Sequence, residues 1–303
     1  MALTINTNVG AMTALQNLTA NNILMGNTQN RISTGLTVAS TKDDSSSFVI
    51  AQKLRGDLKG LSAVGNSLNR AKSVTDVAVA GAEEISDLLI KMAGKAQESV
   101  DAIDDKSRAA HNRDFKAYRD TIATIVKSAD FNGTNLLKSG GGDVTALLTI
   151  QNGTAATTPV TPVTPVTPAT PGTPAAPAPY VPDTLTVTNL ALDLGGATIT
   201  VTATDEMTNL AGAVTMMNKL NATKENMAVK LSELGSASRR IATQISFNSK
   251  LSDTITAGIG NLVDADMAKE SASLQALQVK QQLGVQALSI ANQSPQTILS
   301  LFR

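Results

Sequence analysis

Along most of this chain, apolar residues recur in alternating steps of three and four, the spacing that gathers them on one stripe of a helix. The cleanest series is Leu61, Val64, Leu68, Ala71, Thr75, Ala78, Ala82, Ile85, Leu89, Met92, Ala96, Ser99 and Ile103. Only Thr75 and Ser99 interrupt it, and about six heptads of such a seam predict a coiled-coil helix. Run from about residue 45 to 103, that helix would be roughly 90 Å long. Asp43 and Asp44 stand where its N-cap would be.

The C-terminal half mirrors this pattern. Ala213, Met217, Leu220, Lys224, Met227, Leu231, Leu234, Ser238, Ile241, Ile245, Asn248, Ser252, Ile255, Ile259 and Leu262 keep the same alternation. Gly258 and Gly260 then weaken the helix, and Asp264 or Asp266 can cap a new one. Its seam runs through Met267, Leu274, Leu277, Gln281, Gly284, Leu288 and Ala291, with Pro295 kinking or restarting the last turn. At the other end Ala11, Leu15, Leu18, Asn22, Met25, Gln29 and Ile32 form a similar seam, which Gly35 stops. A shorter amphipathic helix spans about Asp105 to Asp130, with Phe115, Tyr118, Ile122 and Ile125 on one side. A turn at Phe131-Asn132-Gly133 follows, and Leu136-Leu137 reseat the chain.

Between Lys138 and Asp205 the code changes. Nine of the ten prolines fall between Pro159 and Pro182. The run from Thr158 to Pro174 holds six Thr-Pro pairs at period three, the repeat of polyproline II. Thr184 to Thr204 alternates β-branched and apolar residues, as in Leu185, Val187, Ile199 and Val201, which reads as two or three short strands. The fold class is therefore mainly α: a long antiparallel bundle or coiled coil from both chain ends, with a small β-rich insert in the middle.

Charge changes the reading of the ends. No Asp, Glu, Lys or Arg occurs from Met1 to Asn30 or from Gln281 to Phe302. Solvated tails normally carry ions. These ends mix Leu, Ile, Val, Met and Ala with Asn, Gln, Thr and Ser, a surface that seeks burial without the cost of desolvating an ion. One monomer has little room to hide both, so the expectation is self-assembly. Gain and ordering cost nearly cancel in a lone subunit, so the ends are expected to order on docking.

Elsewhere composition mostly excludes. Lys plus Arg equals Asp plus Glu, against a nucleic-acid binder and against electrostatic membrane docking. The absence of Cys and Trp removes disulfides, thiolate metal sites and a cysteine nucleophile. The N-terminus lacks a basic n-region and an unbroken apolar stretch, so any export would use a route without a cleaved conventional signal. His111 is the only histidine and reads as a solvated helix position. Asp101, Asp104 and Asp105 read as a charged helix end, without calcium-loop spacing. No nucleophile–base pair, phosphate loop or cofactor motif is visible, so neither an enzyme nor a cofactor is expected.

At this point the residues resemble a family. Asn6-Thr7-Asn8, Arg31-Ile32-Ser33-Thr34-Gly35-Leu36, Lys42-Asp43-Asp44 and Phe131-Asn132-Gly133 with Leu136-Leu137 are similar to the N-terminal region of bacterial flagellin. Asp264-Ala265-Asp266-Met267-Ala268-Lys269-Glu270, Ala291-Asn292-Gln293-Ser294-Pro295-Gln296 and the closing Leu299-Ser300-Leu301-Phe302-Arg303 resemble its C-terminal region. The likeness covers about residues 1–138 and 206–303.

The resemblance implies a subunit that polymerises into the extracellular flagellar filament for swimming. It also implies an order of parts: residues 1–40 as a filament-core helix, 41–138 as the N-terminal half of a helical core domain, and 139–205 as a variable Thr/Pro-rich and β outer insert. Residues 206–263 would be the C-terminal half of the core domain and 264–303 the second filament-core helix. Leu15, Leu18, Met25, Ile32, Leu274, Leu277, Leu288, Leu299 and Phe302 are the expected assembly residues. The implied partners are further copies of the chain, the flagellar cap, junction proteins, an export chaperone and the type III export apparatus, with no nucleic acid and no stable membrane insertion.

Two further expectations attach to the family. Its members often carry an arginine-rich helix face read by an innate Toll-like receptor. Here Leu88, Leu89, Lys91, Met92 and Lys95 stand there instead, and lysine cannot reproduce arginine's bidentate fork, so recognition is expected to be weak or absent. Thr158, Thr161, Thr164, Thr167, Thr170 and Thr173 are either a bare stiff spacer or carriers of O-linked sugars. The competing readings are a flagellar hook–filament junction protein and a helical membrane-interacting translocator or adhesin. The Asn and Gln density of the ends argues against stable insertion.

Overall fold

The structure is a computed structural model that describes residues 7–152 and 182–301. The order of elements is α1 (Val9–Thr34), α2 (Ser45–Asp101), α3 (Asp105–Ser128), β1 (Val144–Asn152), β2 (Pro182–Val187), α4 (Leu210–Val263) and α5 (Met267–Leu301). The chain separates into two compact units, residues 1–58 with 253–303 and residues 59–252.

In the unit 59–252, every expected α2 stripe position from Leu61 to Ser99 is buried. Ile103 is the exception: α2 stops at Asp101 and Ile103 is fully exposed. The cause is Arg108, whose guanidinium turns back to donate to the carbonyls of Ser99 (3.1 Å) and Ala102 (2.8 Å). It thus satisfies acceptors that further helix would otherwise have used. Asp104 then caps α3, accepting from the Ser107 N–H at 2.9 Å. On α3, Phe115 and Ile122 are wholly buried, with Tyr118 and Ile125 beside them.

Along the part of α4 in this unit the buried series is Ala213, Met216, Leu220, Thr223, Met227, Leu234 and Ile241. Met216 and Thr223 thus take the deepest positions, where Met217 and Lys224 were expected. Thr223 can be buried because its hydroxyl donates to the Lys219 carbonyl at 2.8 Å, whereas an ammonium would lose its water. The helix also runs through Gly258 and Gly260 without a break. Its hydrogen-bond ladder continues from Asp264 N–H to the Gly260 carbonyl (2.9 Å), and the Asp264 carboxylate occupies the space beside Gly260.

The β structure differs more. Of the strands expected in Thr184 to Thr204, one forms, β2, and its antiparallel partner is β1, from a stretch not read as a strand. The register pairs Val144 with Val187 and Ala146 with Leu185, and these four face the core. Ile199 and Val201 are fully buried but lie in an irregular segment. That segment docks through main-chain bonds from Leu190 to Leu136 (2.8 Å) and from Leu192 to Leu137 (2.6 Å). Strand hydrogen bonding was not needed to bury these residues, so alternation alone misassigned them. The described parts of the insert therefore belong to the same hydrophobic core as α2, α3 and α4. Asn132 and Gly133, at φ 55° and 80°, form the tight turn between Phe131 and Thr134, whose main chains exchange two hydrogen bonds.

Candidate assembly surface

The unit made of both chain ends is built around α1 and α5. Asn8 caps α1 through its side-chain oxygen, which accepts from Ala11 N–H at 3.0 Å. Gly35 closes it in the left-handed region at φ 70°, a conformation glycine adopts without a Cβ penalty. Asp266 caps α5 by accepting from the N–H groups of Ala268 (3.0 Å) and Lys269 (3.2 Å). The loop after α1 meets the loop before α5: Thr37 N–H donates to the Val263 carbonyl (2.7 Å) and Ala265 N–H to the Gly35 carbonyl (2.9 Å). This short ladder sets the two helices side by side and antiparallel.

Their seam consists of Ala11, Ala14, Leu18, Asn21, Met25, Thr28 and Ile32 on α1 and Glu270, Leu274, Leu277, Gln281, Gly284, Leu288 and Ala291 on α5. The α5 series from Leu274 to Ala291 follows the expectation, while Met267 is exposed. On α1 the expected Leu15, Asn22 and Gln29 are exposed instead. Alternate positions move by one residue because the small or hydrogen-bonding side chains of Ala14, Asn21 and Thr28, rather than apolar bulk, fill this phase. Asn21 donates to the Leu277 carbonyl at 2.9 Å, Asn8 to the Ala291 carbonyl at 2.8 Å, and Gln281 to Asn22 Oδ1 at 3.0 Å. The ends are thus stitched by neutral amides. The only ion pair here among the described residues, Arg31 with Glu270 at 3.3 Å, lies where the uncharged stretch stops.

The seam leaves much apolar surface uncovered. Val9, Met12, Leu15, Ile23 and Leu24 on α1, and Val279, Leu283, Val285 and Ile290 on α5, are each between 54 and 69 % exposed. Thr28 is the one α1 residue that is buried. Burying the exposed half of one such side chain against a neighbour contributes roughly 1 kcal/mol, and uncovered large apolar side chains gathered on one pair of helices mark an interaction surface. Leu18, Met25, Ile32, Leu274, Leu277 and Leu288 therefore join the two helices of one chain, whereas Leu15 points outward. Phe302 and the side chain of Leu299 lie outside the described residues, as do the six threonines of the Thr-Pro run. The outward residues other than Leu15 were not singled out from sequence. Their signal was there in pairs such as Ile23-Leu24, too apolar for one helix stripe to absorb.

The stretch 88–95 lies differently. Leu88, Leu89 and Met92 are buried in the core of the other unit, leaving Lys91 in solvent. Lys95 pairs with Glu98 (2.7 Å) and stands 3.7 Å from Asp114. The Glu98 hydrogen bond is the main cause holding the Lys95 ammonium above its ordinary pKa. His111 is half-buried rather than solvated, its Nδ1 3.1 Å from Glu98 Oε2.

The family model described as the bacterial flagellin N-terminal helical region matches residues 5–140, and that of the bacterial flagellin C-terminal helical region matches residues 217–302. Among curated relatives, flagellin FljM and flagellin FljK of Caulobacter vibrioides are each 40% identical over 305 residues, covering 100% of both chains. A flagellin of Brucella melitensis is 35% identical over 299 residues, covering 98% of each.

Proposed function

The chain belongs to the bacterial flagellin family, and we infer that it acts as the structural subunit of the extracellular flagellar filament, polymerising with copies of itself to serve swimming motility. The observation that carries this reading is the outward apolar surface of α1 and α5, more than half exposed at nine large side chains, with Lys280 the one ion along residues 9–30 and 279–301. Only another surface of matching character covers such a face without desolvating charge, and copies of the same chain supply one.

The work is mechanical, so the chemistry lies in packing. Within one chain the seam is neutral and amide-stitched, and the two ends present one composite apolar surface rather than two separate helices. Repeated contact between such surfaces builds a filament when the operation relating neighbours does not close on itself. The family reading extends to a cap, junction proteins, an export chaperone and a type III export apparatus as partners, and to secretion without a cleaved leader. Among the described residues no helix is long and apolar enough to cross a membrane.

The test is direct. Purified chain, heated and then cooled at micromolar concentration, should yield tubes in negative-stain electron microscopy. Subunits that stay monomeric under seeding and float with liposomes would support the membrane-interacting alternative instead.

A further inference from the structure

A helical polymer needs two different complementary patches on each subunit, because a heterologous contact is what propagates without closing. The unit 59–252 carries two such patches. On α2, Glu83, Glu84 and Asp87 are exposed within little more than one turn, and Ile90 beside them is 59% exposed. None of the three carboxylates has an ion-pair partner among the described residues. On α4, Arg239 and Arg240 are exposed and likewise unpaired among the described residues. About two turns on, Phe247 is 56% exposed on a shallow cleft lined with Ala242, Thr243, Ser246 and Lys250.

Some exposed ions of this unit are paired locally, as in Lys72–Asp76 (2.5 Å), Lys116–Glu206 (2.6 Å) and Lys230–Glu233 (2.9 Å), while others, such as Arg70, Lys91 and Lys127, stand without an ion-pair partner among the described residues. What distinguishes the two patches is that like charges adjoin: Glu83, Glu84 and Asp87 near Ile90, and Arg239 and Arg240 about two turns before Phe247, opposite in sign on a chain of zero net charge. We propose that they meet each other: the acidic stripe of α2 on one copy docks against the basic stripe of α4 on a neighbouring copy, with Ile90 and Phe247 removed from water at the same contact. This rests on the filament reading. A second copy is the fitting occupant, because two arginines and a lysine on a neutral chain are too few for a nucleic acid or an anionic membrane. Complementary charge of this kind fixes register and speeds association, while like charges brought face to face oppose it.

The experiment uses charge reversal with rescue. Glu83→Lys with Glu84→Lys and Asp87→Lys in one variant, and Arg239→Glu with Arg240→Glu in another, should each raise the critical concentration for polymerisation by at least about tenfold. The chain carrying all five changes should return to within about threefold of the unmodified protein. Full activity of either one-sided variant, or no rescue in the combined chain, overturns the proposal. Circular dichroism of the monomers checks that the fold is kept. If a reversed variant has lost helix, the neutral triple Glu83→Gln, Glu84→Gln and Asp87→Asn replaces it. Raising salt from about 20 to about 300 mM should then slow seeded elongation of the unmodified chain and not of that triple, and equal salt dependence overturns the proposal. An unmodified chain that forms no filament at all would instead sink the filament reading.

Discussion

The Leu18 side chain lies against Gly284: a methyl group added there would stand 3.3 Å from Leu18 Cδ1 and 3.9 Å from its Cβ. The absent side chain on α5 is what lets α1 come close at this level of the seam. Leu18→Asp places a carboxylate where its neighbours are apolar or glycine, and the charge stays hydrated only if the helices part. The expected outcome is a soluble, still helical monomer that forms no filament, and Leu288→Asp should behave alike. Gly284→Leu overfills the same gap at a cost of about 1–3 kcal/mol, so its critical concentration should rise. Normal filaments from Leu18→Asp, seen by electron microscopy, would refute the assembly role of the seam.

A different outcome is expected on the outward face. Leu15, Ile23 and Leu283 are 54 to 60 % exposed and contribute little within one chain. Replacing all three with Asn should leave the monomer's thermal unfolding within a few degrees of the unmodified chain. Polymerisation should weaken strongly, because roughly 1 kcal/mol per residue is lost at every intersubunit contact. Sedimentation of polymer from monomer reads the second effect and calorimetry the first. A fall in both together would show that these side chains serve the folded monomer instead.

Burial also predicts where the lone subunit opens. Along α1 only Thr28 is buried, whereas α2 carries an unbroken buried stripe from Leu61 to Ser99. Local opening free energy follows buried apolar contact. Amide exchange on dilute monomer should therefore be fast across α1 and α5 and slow in α2 between those positions. In filaments the terminal amides should become protected. Equal protection of the ends in dilute monomer would contradict docking-coupled order.

The contrast between α1 and α2 also explains what could be read from sequence. From Leu61 to Ser99 one phase of the heptad is apolar almost without interruption, and every position of that phase is buried. On α1, Leu15 and Ala14 compete for the stripe, and the choice falls to Asn21, whose amide reaches the Leu277 carbonyl, a contact 256 residues away in sequence. Ile103 continued the pattern flawlessly and still lay outside the helix, because Arg108 from the next element capped the last carbonyls. β1 was missed for a related reason: its partner comes from beyond the proline-rich run, so pairing depends on tertiary placement. The assembly surface was legible as chemistry, in the missing ions of both ends. Which side chains face inward was not, since that depends on the partner helix.

The last prediction concerns pH. Asp205 accepts from Thr202 N–H at 2.7 Å and from the Lys219 ammonium at 2.9 Å on both oxygens, while its own carbonyl takes Arg119 Nη1 at 3.3 Å. Burial pushes this carboxyl up, but the Thr202 N–H and the Lys219 hydrogen bond and charge together outweigh it, and the net pKa lies below the ordinary value. A carboxyl depressed in the folded chain stabilises it fully above the unfolded value, about 3.9. That contribution is lost as pH falls through the lower, folded value. The clamp matters because it holds the segment entering α4, where Met207 is wholly buried. Asp205→Asn removes the charge and leaves the Lys219 ammonium without its counter-ion, at an expected cost of about 1–3 kcal/mol at pH 7. Below about pH 4 the unmodified chain loses the same contribution, so the gap between the two urea midpoints should narrow. A gap of equal size at pH 7 and pH 3 would show that Asp205 acts through its shape and not its charge.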